Sequence, residues 1–107
     1  MKKGSLILMA WTYSSTRKME KLLKGLSKKA PALHTELLAR QALIAQEPTV
    51  GYHLSGDLRD FMSYDFTFKG IAVRICYVIH RTDSHITFVF CGIRENFYRD
   101  VKKYLFS

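Results

Sequence analysis

Apolar residues in the first half of the chain recur at helical spacing. Between residues 16 and 27 they fall every three or four positions, which predicts an amphipathic helix capped by the hydroxyl residues just before it. Pro31 suits the first turn of a second helix, which is expected to end near residue 46, before Pro48. The short break between the two helices implies an antiparallel helical hairpin, and a short strand is predicted over residues 9–13.

Beyond Gly56 the period of the pattern falls from about 3.6 residues to 2. Apolar and polar residues alternate over three runs joined by two short turns, which is typical of an antiparallel meander. A final helix is predicted from about residue 95 to residue 105. The order β-α-α-β-β-β-α predicts an α+β fold, in which the helical hairpin covers one face of an antiparallel twisted sheet and a helix ends the chain.

The register of the meander follows if apolar residues face apolar residues across both turns. The expected pairs are Phe68 with Ile71, Asp65 with Arg74, His80 with His85, Tyr77 with Phe88, Ile75 with Phe90, and Arg74 with Cys91. Arg74 then lies in the middle of a shallower, partly polar face, on the side of the sheet away from the hairpin. Cys76 and Cys91 are expected to share that face diagonally, about 7–8 Å apart, which is too far for an unstrained disulfide.

Length and composition indicate one domain. The chain has 107 residues, of which 48% are apolar, and this is too few for two independent cores and too apolar for disorder. Residues 1–8 are interpreted as an irregular leader and residues 9–107 as the domain. Apolar runs stay below the roughly 18 residues of a membrane-spanning helix. The two cysteines lack the spacing of a zinc site or of a disulfide framework, so we expect a reduced, cytoplasmic protein.

Charge is concentrated at one end of the sequence. Residues 1–29 hold eight cations and one anion, whereas residues 30–107 hold nine cations and eight anions. This asymmetry favours a polyanionic partner, either nucleic acid or an acidic protein, over a small neutral ligand. A lysine-rich helix face that is merely solvated explains the charge equally well.

An arginine in the middle of a sheet needs a negative partner. Asp65 would supply one in a structural ion pair, and a ligand phosphate would supply another by accepting two hydrogen bonds from the guanidinium of Arg74. We expect Asp65 to hold Arg74 until a phosphate arrives. Arg94 and Tyr98 would share one helix face if the last helix starts at Arg94, and could frame the edge of the same surface.

Three short blocks carry a family resemblance. Residues 54–58 read LSGDL, residues 70–77 read GIAVRICY, and residues 92–98 read GIRENFY. They resemble the L-x-G-x-L, G-x-x-x-R-I-x-Y and R-E-x-x-Y blocks of the RelE/ParE superfamily, the toxins of type II toxin–antitoxin systems. The resemblance spans roughly residues 9–105 and implies a small RelE-like fold in a bacterial or archaeal cytoplasm.

The resemblance implies a metal-independent endoribonuclease that cuts messenger RNA, usually on the ribosome, and so inhibits translation and arrests growth. It also implies a cognate acidic antitoxin as partner and no cofactor. Arg74 matches the strand arginine that contacts the phosphate, Arg94 the arginine of the last block, and Tyr98 the tyrosine near the reacting hydroxyl. The cations expected to steer the protein to RNA lie on the first helix: Arg17, Lys18, Lys21, Lys24 and Lys28.

The chain departs from the family at the strand before the first hairpin. RelE carries two lysines there, where this chain has Tyr64, Asp65 and Thr67. The general base and the general acid therefore remain open. His53, in a loop that could reach the polar face, is one candidate. Asp65 is another, although the neighbouring Arg74 should lower its pKa and weaken it as a base.

Two further functions are compatible with the sequence. One is a ParE-like inhibitor of DNA gyrase that cuts nothing, because that branch shares the fold and often lacks the nuclease residues. The other is a degenerate toxin that retains only antitoxin and operator binding. The retained Arg94 and Tyr98 favour the endoribonuclease, whereas the missing lysines count against it.

Overall fold

The computed structural model describes residues 10–106, apart from the side chains of Tyr98, Val101, Tyr104 and Phe106. The predicted leader, residues 1–8, therefore lies outside the described residues. The elements within them are β1 (Thr12–Ser15), α1 (Arg17–Lys29), α2 (Pro31–Gln46), β2 (Tyr52–His53), β3 (Met62–Phe68), β4 (Ile71–His80), β5 (His85–Ile93) and α3 (Arg94–Phe106). No helix in this part of the chain is both long enough and apolar enough to cross a membrane.

The strands form one sheet in the order β1-β5-β4-β3-β2, and the predicted α+β fold is confirmed. Strands β3, β4 and β5 form the expected antiparallel meander. Strand β1 differs from the prediction because it pairs parallel to β5, and the helical hairpin is part of the long connection that a parallel pair requires. It also begins later than expected, since the Trp11 N–H donates to the Ala45 carbonyl at the end of α2.

The helices agree closely with the sequence pattern. Thr16 is the N-cap of α1, and its Oγ1 accepts a hydrogen bond from the Met19 N–H at 3.1 Å. Helix α2 has Pro31 in its first turn, as predicted. Helix α3 begins at Arg94, so this residue stands at the junction between the last strand and the last helix.

The register across the first turn of the meander is confirmed, and the register across the second turn is correct only in part. His80 pairs with His85 as expected, but Arg74 lies opposite Gly92 rather than opposite Cys91. The cause is a β-bulge at Val89. The consecutive residues Cys76 and Tyr77 of β4 pair with Phe90 and Phe88, so Val89 is an extra residue of β5 without a partner in β4. Beyond the bulge, every side chain of β5 points to the opposite face from the one predicted.

Thr16 stabilises this bulge. A bulged residue leaves the regular ladder, so its backbone groups need another partner. The Thr16 Oγ1 donates to the Val89 carbonyl at 2.7 Å, and the Thr16 N–H donates to the Phe88 carbonyl at 2.9 Å. Thr16 therefore both caps α1 and supplies hydrogen-bond donors to the carbonyl groups at the bulge of β5.

Apolar clusters cover both faces of the sheet. The face under the hairpin holds the predicted core, whose largest members include Met19, Leu37, Ile44, Phe66, Ile75, Tyr77, Ile86 and Phe88. The other face was expected to be shallower, partly polar and open. It does carry Ser63, Asp65 and Arg74, but it is not open, because α3 covers it. It carries a second cluster that includes Leu54, Leu58, Cys76, Val89, Phe90 and Phe97. The bulge turns Phe90 towards this side, and α3 supplies Phe97.

The two cysteines lie on opposite faces of the sheet, contrary to the expectation that they share one. Cys91 belongs to the cluster under the hairpin and Cys76 to the cluster under α3. Burial raises the pKa of each thiol to about 12, so both thiols stay protonated near neutral pH.

Candidate functional site

Arg74 occupies the centre of β4, on the face that α3 covers. Its side chain is almost fully buried, with 7% of its surface exposed. The Nε donates to Asp65 Oδ1 at 2.8 Å, and the Nη2 donates to Asp65 Oδ2 at 3.1 Å. The predicted ion pair is therefore formed, in the two-pronged geometry that a guanidinium and a carboxylate favour.

Tyr52 completes this cluster from the neighbouring strand. Its hydroxyl donates to Asp65 Oδ2 at 2.6 Å and accepts from Arg74 Nη2 at 2.9 Å. Ser63, which lies opposite Tyr52 in the sheet, donates from its Oγ to Asp65 Oδ1 at 2.8 Å. Sequence reasoning missed Tyr52 because β2 has only two residues, too few for a period to be read.

Gly51 allows β2 to approach the sheet closely. A Cβ atom at this position would collide with the Ser63 carbonyl oxygen and the Tyr77 hydroxyl. The Gly51 N–H donates to that hydroxyl at 3.2 Å, which in turn donates to the Pro48 carbonyl at 2.7 Å. The absence of a side chain at Gly51 thus helps to set the position of Tyr52.

These contacts determine which groups in the cluster are charged. Burial alone would raise the pKa of the Asp65 carboxyl, but hydrogen bonds from Arg74, Tyr52 and Ser63 outweigh it, and the pKa lies below its usual range. Partial burial raises the pKa of the Tyr52 phenol, and its hydrogen bond to Asp65 raises it further. Asp65 is therefore an ionised acceptor with little capacity to take up a proton, and Tyr52 remains a donor.

Phe97 covers the ion pair from the side of α3. Its fully buried ring lies 5.3 Å from the Arg74 Cζ, measured to the ring centroid, within the range of a cation–π contact. Phe90, turned to this side by the bulge, packs edge-on against it with the ring centroids 5.8 Å apart. Arg74 was predicted to lie on the open side of the meander; instead it lies beneath α3.

Arg94 brings a second guanidinium to the same carboxylate. Its Nε lies 3.7 Å from Asp65 Oδ2, and about half of its side chain is exposed. Both arginines line an open groove of about 710 Å³ at the end of the sheet, which we call the arginine groove. The residues around it are Gly70, Ile71, Ala72, Arg74, Ile93, Arg94 and Glu95.

The other predicted site residues lie apart from this cluster, or their side chains fall outside the described part of the structure. His53 follows Tyr52 in β2, so its side chain points to the opposite face, and its Nδ1 lies 3.1 Å from the Arg59 carbonyl oxygen. Tyr98 lies one helical turn after Arg94, as expected, but its side chain is outside the described part of the chain. The five predicted RNA-binding cations are all exposed on α1, which packs on the far face of the sheet: Arg17, Lys18, Lys21, Lys24 and Lys28.

The arrangement suits the binding of an anion. Arg74 is fixed by its partners, whereas the half-exposed Arg94 has room to reorient towards a ligand. Glu95 is the one carboxylate among the described residues of the arginine groove, and sequence reasoning did not single it out. Among the described residues there is no group of three or more histidines, cysteines or acids that could hold a metal ion.

Comparisons with known proteins identify relatives of this fold. A family model described as the ParE-like toxin of type II bacterial toxin–antitoxin systems matches residues 4–102. No curated protein gives a significant match to the sequence.

Solved structures share the fold at low sequence identity. The toxin–antitoxin complex RelBE2 from Mycobacterium tuberculosis is 20% identical, with a TM-score of 0.65 over 79% of this chain and 92% of that chain. A mutant of the E. coli toxin RelE in the free state is 15% identical, with a TM-score of 0.67 over 91% and 99%. The intact E. coli RelBE toxin–antitoxin complex is 12% identical, with a TM-score of 0.61 over 78% and 96%.

The pKa of Asp65 predicts a pH dependence of stability. Asp65→Asn removes the charge that compensates Arg74, so we expect a loss of about 3 kcal/mol in the free energy of unfolding at pH 7. The folded-state pKa lies below the unfolded one, so this stabilisation is present above about pH 4 and disappears as pH falls through the folded value. In urea titrations, the difference between the wild type and the variant should therefore shrink from pH 5 downwards.

Asp83→Asn is the matched control, because Asp83 is exposed in the turn between β4 and β5. It should leave the free energy of unfolding nearly unchanged at every pH. A difference between wild type and Asp65→Asn that stays constant with pH would contradict the proposed role of the carboxylate.

Proposed function

Since the chain belongs to the family of ParE-like toxins of type II bacterial toxin–antitoxin systems, we propose that it arrests growth as a metal-independent endoribonuclease that cuts messenger RNA on the ribosome. The observation that carries this proposal is the arginine groove, where a fixed guanidinium and a half-exposed one lie beside the same carboxylate. Two adjacent guanidiniums are well suited to a backbone phosphate and to the charge that develops on it during cleavage.

In the proposed reaction, a ribose 2′-oxygen forms a bond to the adjacent phosphorus while the bond from phosphorus to the 5′-oxygen breaks. The 2′-hydroxyl loses a proton to a base, and the 5′-oxygen gains one from an acid. Arg94 turns from Asp65 to the phosphate, and Arg74 supplies fixed positive charge at the wall of the groove. Glu95 is our candidate for the base, because it lines the groove beside Arg94.

Asp65 has a positioning role in this proposal. It accepts two hydrogen bonds from Arg74 and one each from Tyr52 and Ser63, and its pKa is lowered. Such a carboxylate orients the guanidinium but is a weak base. Arg74→Ala would leave the half-buried Asp65 without its main counter-charge, so we expect that variant to lose stability as well as activity.

The proposed partner is an acidic antitoxin. Two of the similar structures are toxin–antitoxin complexes. This chain has a formal net charge of +8, and its exposed cations are concentrated on α1. Complementary charge would speed association with an acidic partner and would help to exclude other partners.

A second candidate function is inhibition of DNA gyrase without cleavage. The state of Asp65 favours this function. Its carboxylate is the one at the centre of the cluster, but its hydrogen bonds and lowered pKa make it a poor base for a cleavage reaction. Controlled expression would then arrest the supercoiling of plasmid DNA and leave messenger RNA intact.

Arg94 provides the sharpest test of the endoribonuclease. We expect Arg94→Ala to lower RNA cleavage about a hundredfold, the usual cost of removing one donor to a transition-state oxyanion, with little change in thermal stability. Primer-extension mapping of cellular messages after controlled expression measures the effect.

Arg99→Ala is the control, because Arg99 lies on the same helix with 73% of its side chain exposed. It should cleave like the wild type. Cleavage at the wild-type rate by Arg94→Ala would refute the role of Arg94, and the absence of fragments with the wild type would refute the nuclease.

The exposed lysines of α1 predict a salt dependence of RNA binding. Replacing Lys18, Lys21 and Lys24 together with Gln should reduce the slope of log affinity against log salt by about 2, because each contact with a single strand contributes about 0.7. The control replaces three exposed arginines outside α1, Arg59, Arg81 and Arg99, with Gln. If both triple variants reduced the slope of log affinity against log salt equally, the lysines of α1 would be ordinary solvated residues and not a specific RNA contact.

A further inference from the structure

Two exposed tyrosines stand at opposite edges of the sheet. The strand order β1-β5-β4-β3-β2 makes β1 and β2 the two edge strands. Tyr13 of β1 is 45% exposed and Tyr52 of β2 is 46% exposed. Single exposed apolar or aromatic side chains are common, so exposure alone singles out neither of them. Their surroundings differ, because Tyr52 is hydrogen-bonded to Arg74, a residue that lines the arginine groove.

The ring of Tyr52 is held in one orientation by its hydroxyl. The hydroxyl donates to Asp65 Oδ2 at 2.6 Å and accepts from Arg74 Nη2 at 2.9 Å. These two bonds stop the side chain from rotating freely, although nearly half of the residue's surface is in solvent. An aromatic ring that is ordered in advance loses little conformational entropy when a ligand packs against it.

The edge position leaves one side of Tyr52 open. Strand β2 has two residues and pairs with β3, and no strand in the described part of the chain lies beyond it. Tyr52 lies opposite Ser63, whose Oγ donates to Asp65, so its side chain is on the same face of the sheet as the ion pair. The ring thus borders the buried charges on one side and solvent on the other.

Arg94 and the phenol of Tyr52 approach the same oxygen atom. Arg94 Nε lies 3.7 Å from Asp65 Oδ2, the oxygen that accepts the hydrogen bond from Tyr52. A phosphate bound by the half-exposed Arg94 would therefore lie near the hydroxyl end of the ring. In RNA each base is joined to its phosphate through one ribose, so a nucleotide held there can bring a base to the ring. Cations that hold the backbone, together with aromatic rings that stack the bases, are the usual means of binding single strands.

We propose that Tyr52 forms a nucleobase site beside the arginine groove, where an unpaired base of the RNA stacks on the phenol ring while Arg94 holds a neighbouring phosphate. This site rests on the RNA target proposed above, and it adds a contact to a base where the guanidiniums contact only the backbone. Stacking accepts any base, because every base has a flat aromatic face, but it requires that this face be free. A base-paired helix covers the faces of its bases, so the site selects single-stranded RNA.

The test measures binding, without cleavage, between the full chain and a short single-stranded RNA. The RNA has a mixed sequence, methylated 2′-hydroxyls and a fluorescein label, and each member of a series lacks one base at a successive position. Fluorescence anisotropy with the wild type should show one position at which loss of the base weakens binding about tenfold. This ratio lies within the range that stacking of a base on an aromatic ring contributes.

Two substitutions of Tyr52 separate the ring from the hydroxyl. Tyr52→Leu removes the ring, so intact RNA and RNA lacking that base should bind equally. Tyr52→Phe removes the hydrogen bonds but keeps the ring, so the tenfold ratio should persist even where the lost contacts to Asp65 and Arg74 lower the thermal stability. The control is Tyr13→Leu, since Tyr13 has nearly the same exposure at the opposite edge of the sheet, and it should retain the tenfold ratio.

NMR of the wild type supplies the same answer if Tyr52→Leu fails to fold. A base stacked on an aromatic ring shields the protons of that ring. The ring signals of Tyr52, assigned with Tyr52→Phe, should therefore move upfield with intact RNA. RNA that lacks the stacked base should leave them nearly unmoved.

Three results would overturn the nucleobase site. Equal affinity for every member of the RNA series would mean that the contacts are confined to the backbone. A tenfold ratio that persists in Tyr52→Leu, or that Tyr13→Leu abolishes equally, would place the stacked base elsewhere. Failure of the wild type to bind any RNA would remove the RNA target itself, and the nucleobase site with it. Cleavage plays no part in these measurements, so a protein that binds RNA without cutting it would refute the nuclease and leave the nucleobase site standing.

Discussion

The candidate site depends on one buried guanidinium at the centre of the sheet. Removing Arg74 from water is costly unless its donors are met, and Asp65 and Tyr52 meet several of them within hydrogen-bonding distance. These partners come from two neighbouring strands, and the ring of Phe97 covers the guanidinium from α3. Asp65, Tyr52 and Phe97 thus bring β2, β3, β4 and α3 together around the charge of Arg74.

The start of α3 determines the electrostatics of the exposed groove. Arg94 is its first residue and lies close enough to Asp65 to share the carboxylate, yet half of it remains in solvent. Asp65 accepts four hydrogen bonds, and two of them come from the buried Arg74. The exposed Arg94 lies farther away, with its Nε 3.7 Å from Asp65 Oδ2. The structure thus separates two tasks: Arg74 is held in place, and Arg94 can turn to an incoming anion.

Much of this arrangement can be predicted from the sequence, and the exceptions have physical causes. Alternation and a two-residue turn suffice to place Asp65 opposite Arg74, because a slip of one residue would expose the apolar face. The bulge at Val89 could not be predicted, since β5 is apolar on both sides of it and either register buries apolar groups. Tyr52 could not be predicted because its strand has two residues. Its position follows from tertiary contacts, among them the close approach at Gly51.

The most direct test of this division between the two arginines is NMR of the arginine Nε–H groups, assigned with Arg74→Lys and Arg94→Lys. A short RNA whose 2′-hydroxyls are methylated cannot be cut by attack of the 2′-oxygen, so it serves as the ligand. We predict that the Arg94 signal shifts on binding and that salt reverses the shift, whereas the Arg74 signal stays in place with slow solvent exchange in both states. An Arg94 signal that is unmoved at saturating RNA, or an Arg74 proton that exchanges rapidly in the free protein, would contradict the account.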